Sequence, residues 1–339
     1  MHSRKIGDLD VSAIGLGCMS MSMGYGPADD AISERLLPAA LDAGYRFLDT
    51  ATMYGGGHNE SLIGRVLKER RNDFVLASKC GLSKDAAGKP LVDGRPESLR
   101  RQCEASLERL QTEVIDLYYL HRLDSKVPVE ESVGALGELV QEGKIRYIGL
   151  SEVSSQTLRR AHAAYPVAAV QSEYSLWSRT PEFGMLETCT ELGVVFVPFS
   201  PLGRQFLTGK AQDITHLSTG DIRTGNARPR FEPENFAHNV KLLKPYGQIA
   251  ERVGCSMAQL ALAWLLAQTD SRGQQTLVPI PGTKHLDFMQ ENAGAGDIAL
   301  DAETVQALNA LINEQTVRGT RYYEALMQAT DSERDRPAA

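Results

Sequence analysis

The feature that most constrains this chain is a beat repeated along it: an apolar strand, a polar loop, then an amphipathic helix. Strand-like runs fall at 13–17, 46–49, 74–79, 114–120, 145–150, 167–171, 194–198 and 276–280. They are apolar nearly throughout, the pattern of strands buried on both faces. Pro96 and Pro128 open helices between them, Ser154 and Ser256 read as N-caps, and Gly143 and Gly193 mark helix ends. Pro38 falls inside another helical run and predicts a kink or a shortened helix there. Strands alternating with helices imply parallel βαβ units, and eight such units close into a (β/α)8 TIM barrel. A doubly wound α/β sheet is the alternative, and it carries a glycine fingerprint after its first strand. Here Gly15-Leu16-Gly17 is followed by Cys18-Met19-Ser20, so the third glycine is missing. Gly55-Gly56-Gly57 likewise lacks the lysine and hydroxyl of a phosphate loop.

Two stretches stand outside the beat. Residues 4–12 read as an N-terminal hairpin, and 200–240 form a long polar excursion rich in Gly, Pro and Arg. Loops of that length in a compact domain are usually functional or disordered. The reading is one barrel domain over 1–330 and a disordered tail over 331–339. A net charge of −7 argues against nucleic-acid or anionic-membrane partners, and the apolar run at 260–267 is too short to cross a bilayer. The five cysteines are scattered without a C-x-x-C pair, which fits free thiols in a reducing compartment. With no apolar leader at the N-terminus, the expectation is a cytoplasmic protein acting on a small molecule, its oligomeric state open.

In a barrel, functional residues gather where strands end. Reading those positions gives Asp49, Lys79, His121, Ser151, Gln171 and Phe199. Asp49 is the natural partner for Lys79, a charge ending an otherwise apolar strand. Tyr54, five residues beyond Asp49, lies within reach of that ammonium, which should lower its pKa. His121 would face both as a hydrogen-bond donor. A structural ion pair at the rim is the bland reading of Asp49 and Lys79. A Schiff-base aldolase using Lys79 is a second chemistry. No metal is expected, because Asp49 and His121 lack further ligands at workable spacing.

Asp49-Thr50-Ala51 with Tyr54-Gly55, Glu60 and Gly64, then Lys79 and His121, resembles the aldo-keto reductase family. GKIRYIGLSE, QSEYSLWSR, PFSPLGRQFLTGK, ALAWLLAQ and IPGTK carry the likeness over nearly the whole chain. The resemblance implies a catalytic tetrad of Asp49, Tyr54, Lys79 and His121, and a nicotinamide cofactor held without a Rossmann fold. Reduction of an aldehyde or ketone is the implied reaction; the family also includes non-enzymatic channel β subunits that keep the barrel and a nucleotide. Ser151, Glu152 and Gln171 would hold the carboxamide, Glu152 standing where many relatives carry asparagine. Phe199 would stack on the ring. Ser200, Pro201, Leu202, Gly203, Gln205 and Lys210 would clasp the pyrophosphate. Gly282, Thr283, Lys284, Gln290, Glu291 and Asn292 would take the adenosine end. Lys284 implies that NADP(H) is preferred, with NAD(H) possible because Phe288 stands where NADP-selective relatives usually have arginine. Met19, Tyr25, Arg122 and Tyr322 are the implied substrate contacts.

Overall fold

A computed structural model describes residues 1–337 apart from 86, 212, 219, 270–272, 275 and 276. The predicted hairpin is present as β1 (Ser3–Ile6) paired antiparallel with β2 (Leu9–Ser12). The beat then runs through β3 (Leu16–Gly17), α1 (Asp30–Asp42), β4 (Phe47–Asp49), α2 (His58–Leu67) and β5 (Val75–Cys80). A small hairpin that the sequence did not signal follows, β6 (Leu82–Lys84) with β7 (Pro90–Val92). The beat resumes with α3 (Pro96–Leu110), β8 (Ile115–Leu120), α4 (Val129–Gln141), β9 (Ile145–Ser151), α5 (Ser155–Ala164), β10 (Val167–Glu173), α6 (Met185–Leu192) and β11 (Val195–Phe199).

The main sheet is parallel, in the order β11-β10-β9-β8-β5-β4-β3. Its eighth stave is residues 277–282, which bridge both sheet edges without forming a regular ladder. Val278 N–H and Ile280 N–H donate to the Phe196 and Pro198 carbonyls at 3.0 Å, while Gly15 N–H and Gly17 N–H donate to the Pro279 and Pro281 carbonyls at 2.9 and 3.2 Å. Pro279 and Pro281 have no N–H to return toward β3, so this stave closes the barrel with half its hydrogen bonds. The first residue of the strand expected at 276–280 lies outside the described residues.

Side chains pointing into the barrel form one core, and the helix-facing sides of the strands form another. Ile6, Leu9 and Val11 of the first hairpin join the inner core beside Phe47, Val75 and Val195, residues at the starts of their strands. The hairpin therefore plugs the N-terminal end, and the mouth at the C-terminal ends stays open.

Three expectations need correction. α1 runs on through Pro38 to Asp42, so the helix is not shortened. The stretch over 200–240 contains short 3-10 turns and α7 (Pro233–Asn239). α8 (Leu243–Val253), α9 (Met257–Leu266), α10 (Leu286–Gly294), α11 (Ala302–Leu311) and α12 (Glu324–Ala329) follow it. The tail is packed, at least through residue 336: Asp331–Asp335 is a 3-10 turn over the start of α5. Asp331 accepts from Ser154 N–H at 2.7 Å, and Asp335 accepts from Ser155 N–H at 2.9 Å. Those amides are the unpaired donors of a helix N-terminus, where carboxylates are stabilising. An acidic, polar tail reads as solvated until its targets are known. Among the described residues no single helix is long and apolar enough to cross a membrane; α7–α8 with α9 has the length but is bent by 76°, and α9 is almost wholly buried in the core.

Candidate active site

β4 and β5 are hydrogen-bonded neighbours, so Asp49 and Lys79 emerge side by side at the mouth. Both are buried, and the Lys79 ammonium donates to Asp49 in a tight ion pair. It also donates to the Thr50 carbonyl at 2.8 Å and to the Tyr54 hydroxyl at 3.3 Å. Gln171 Nε2 donates to the second Asp49 oxygen at 2.8 Å. Asp49 is thus held from two sides, and Lys79 has a donor left for the phenol.

Tyr54 reaches this position through a tight turn. Gly55 and Gly56 take φ of 61° and 67°, the left-handed region that side chains avoid. Asn59 fixes the approach: it accepts from the Thr50 hydroxyl at 2.6 Å and donates to the Cys18 carbonyl at 2.9 Å. The remaining motif positions are structural. Glu60 is buried, accepting from Ser78 at 2.5 Å and from Arg109 at 2.6 Å. A Cβ on Gly64 would stand 2.4 Å from the Arg109 carbonyl, so α2 can approach α3 only with glycine there.

His121 follows β8, its ring edge-on to Tyr54 with centroids 5.9 Å apart. Burial, with help from the nearby Arg122 and Lys79 charges, drives its pKa well below the usual imidazole range. The ring is therefore neutral, and its buried Nδ1 has no partner among the described residues. Burial also pulls the Lys79 ammonium down, but Asp49 and the phenol outweigh that, and the net shift is upward. The expected fall in the Tyr54 pKa does not occur. Burial pushes the phenol up and the Lys79 ammonium only opposes the rise, so its acidity is restored part-way. The lysine and tyrosine groups are accordingly protonated at neutral pH.

Asp49, Tyr54 and His121 line one end of a cavity of about 850 Å³, with Lys79 behind them. Most predicted cofactor residues line the cavity: Ser151, Gln171, Phe199, Ser200, Pro201, Leu202, Gln205, Lys210, Gly282, Thr283, Lys284 and Asn292. So do the predicted substrate residues Met19, Tyr25, Arg122 and Tyr322.

Three assignments fail on geometry, since Glu152, Gly203 and Gln290 do not line the cavity. Glu152 stands at φ 58°, a conformation asparagine adopts more readily. Its carboxylate turns away to a buried pair with Arg321, at 2.5 and 3.1 Å. Gly203 faces Trp177, whose ring would lie 3.0 Å from an added Cβ. On α10, Phe288, Glu291 and Asn292 face the cavity at helical spacing, which leaves Gln290 exposed. The individual readings also missed a layer of ion pairs along the walls. Arg204 donates to buried Glu173 at 2.6 Å, Arg223 to Asp221 at 2.7 Å, and Lys210 to Glu291 at 3.2 Å. The scattered arginines of 200–240 were the available signal, but their partners could not be read from spacing.

A barrel with a buried Asp–Lys–Tyr set and a neutral histidine at its strand ends, opening on a large cleft, has the architecture of a nicotinamide-dependent carbonyl reductase. The sequence pattern of the Aldo/keto reductase family matches residues 13–313, and the chain belongs to this family. It is 41% identical over 326 residues to the aldo-keto reductase yakc of Schizosaccharomyces pombe, whose name specifies NADP(+), covering 94% of each chain. It is 40% identical to a probable aldo-keto reductase 1 of Glycine max, over 94% of this chain and 90% of that one. Among solved structures, the glycerol dehydrogenase AKR11B4 of Gluconobacter oxydans superposes with a TM-score of 0.81 at 29% identity, over 99% and 97% of the two chains. An aldo-keto reductase of Klebsiella pneumoniae in complex with NADPH gives 0.70 at 27% identity, over 94% and 99%.

Proposed function

We infer that this protein catalyses the NADPH-dependent, reversible reduction of an aldehyde or ketone to an alcohol. The observation that carries the reading is Lys79: one buried ammonium bonded to Asp49 and to the Tyr54 hydroxyl, behind the wall of a cavity of about 850 Å³. The residues fit such a cofactor. Phe199 offers an apolar face at a strand end, and Ser151 and Gln171 offer polar groups beside it. Ser200, Gln205, Lys210, Thr283, Lys284 and Asn292 supply hydroxyl, amide and ammonium donors further along, suited to an anionic ligand. When bound, NADPH supplies the hydride for the carbonyl carbon.

The chain's own residues handle the oxygen. Negative charge builds there as reduction proceeds, and Tyr54 donates the proton that quenches it. Lys79 stabilises the phenolate that Tyr54 becomes, and Asp49 with Gln171 keeps Lys79 in place. The neutral His121 ring adds an N–H donor to the same oxygen. The opposite direction uses the same groups, Tyr54 then accepting the alcohol proton.

The aldolase reading needs a neutral, nucleophilic lysine, and the pairing of Lys79 with Asp49 and Tyr54 opposes that. The preference for NADPH rests on Lys284 and on the NADP named for the fission-yeast relative. The five free cysteines, four of them buried, fit a reducing, cytoplasmic setting. The test is NADPH absorbance in the presence of a neutral aldehyde such as 4-nitrobenzaldehyde. Aldehyde-dependent loss of absorbance is expected. Tight NADPH binding without turnover would instead point to a nucleotide-binding module of the β-subunit kind.

A further inference from the structure

Three of the five lysines and arginines lining the cavity are matched. Arg204, Arg223 and Lys210 each hold a carboxylate, and Lys79 behind the wall holds Asp49. Among the described residues two lining cations have no carboxylate partner: Lys284 at the far end and Arg122 beside His121. Lys284 donates to the Tyr25 and Pro27 carbonyls, at 2.9 and 2.6 Å. Arg122 uses only Nη1 on protein groups, donating to the His121 carbonyl at 2.6 Å and to Ser151 Oγ at 3.2 Å. Among the described residues its Nε and Nη2 donate to no protein group, and the side chain is half-buried at the tetrad end. One anchored corner and a free edge make a rigid guanidinium fork aimed by the protein rather than a freely swinging surface charge. Such a fork matches the paired oxygens of a carboxylate or phosphate. In a chain of net charge −7 that neutralises its other tetrad-side cation internally, this cation awaits an external anion.

We propose that Arg122 selects carbonyl substrates carrying an anionic group, a carboxylate or a phosphate ester, which its free edge holds while the carbonyl meets Tyr54 and His121. The proposal rests on the carbonyl-reductase reading and names the substrate class of that site. Lys284 cannot play this part, since it lies at the adenosine end. Arg204 cannot, since its charge is committed to Glu173.

The test is kcat/KM on matched pairs: 4-oxobutanoate against its methyl ester, and glyceraldehyde 3-phosphate against glyceraldehyde. Each is measured with the wild type, Arg122→Met and Arg122→Lys. The wild type is expected to favour the charged member of at least one pair by roughly tenfold or more, the scale of one charge-assisted contact. Arg122→Met should erase that preference, and Arg122→Lys should restore only part, because a point charge lacks the fork. The pair with the larger response identifies carboxylate or phosphate. If Arg122 merely positions Ser151 and His121, both members will slow equally and the ratio will stand, which overturns the proposal. A wild type that reduces the neutral members but shows no charged preference overturns it without any variant. Turnover of no carbonyl at all would refute the reductase reading itself, and this proposal with it.

Discussion

The two ends of the cavity are built differently. At the tetrad end, Asp49 and Lys79 lie on neighbouring strands, are essentially unexposed, and satisfy one another before any ligand arrives. At the far end, Lys210 and Glu291 pair at 3.2 Å from partly exposed positions, and Lys284 holds two loop carbonyls. Ser200, Arg204 and Gln205 between the ends take φ of 48°, 55° and 77°, a strained turn for residues with side chains. The Asp49–Lys79 pair is therefore fixed by folding itself. The far-end groups, Lys210 and Lys284 on loops and Glu291 on α10, make contacts that a ligand can exchange.

If that contrast is right, the largest response comes from cutting the tetrad's ion pair. Lys79→Met leaves the Asp49 charge buried with Gln171 but no cation, a change worth about 3–5 kcal/mol of stability. It should also cut reduction by at least about a hundredfold. Adding Asp49→Asn should recover part of the stability, measured by thermal denaturation, and none of the activity. Recovery of both would mean that the pair is structural only.

Glu173 tests the joint between the two regions. It accepts from Arg204 of the 200–240 stretch at 2.6 Å and from Ser178 at 2.7 Å, with Arg321 of the C-terminal segment 3.8 Å away. Burial alone would push its carboxyl up; Arg204, Arg321 and Arg230 outweigh that and bring it down to about 2. A carboxylate with a depressed pKa stabilises the fold above its unfolded value, and that contribution is lost as pH falls. Wild-type melting temperature should therefore drop between about pH 5 and pH 2 by more than that of Glu173→Gln. At neutral pH the variant should be less stable by about 1–3 kcal/mol and bind NADPH more weakly. Parallel pH profiles would remove Glu173 from the network.

Lys284→Ala should be milder, lowering the NADPH-to-NADH affinity ratio by roughly tenfold, one charge-assisted contact to the 2′-phosphate. An unaltered ratio would mean that Lys284 serves only the loop at Tyr25 and Pro27. The smallest effect is kinetic. We expect proteolysis within 200–239 to slow when NADPH is present, because that clasp then gains contacts. Equal cutting in both states would mean the loop does not close on the cofactor.

The barrel was legible because strand burial on both faces leaves a plain apolar signature, and the meeting of Asp49, Lys79 and His121 because strand ends are countable positions. What stayed hidden depends on direction or on distant partners. Glu152 follows Ser151 directly, yet its left-handed backbone aims it at Arg321, 169 residues later. The tail looked solvated because its partners, the Ser154 and Ser155 amides, are unpaired only once α5 exists. The eighth strand looked regular, but Pro279 and Pro281 thin its ladder to isolated bridges. The Tyr54 pKa was misjudged because the Lys79 charge can be read from sequence and the depth of burial cannot.

The most direct test of the central claim, that folding delivers Tyr54 as the proton donor to a carbonyl, is Tyr54→Phe. The ring is retained and the hydroxyl removed, so NADPH affinity, followed by fluorescence, should stay within about twofold, while aldehyde reduction falls by roughly 10²–10⁴-fold. Because His121 is held neutral and Tyr54 protonated, the wild-type rate should show no break from either group between about pH 6 and pH 8. A Tyr54→Phe protein that reduces aldehydes at close to the wild-type rate would contradict the account.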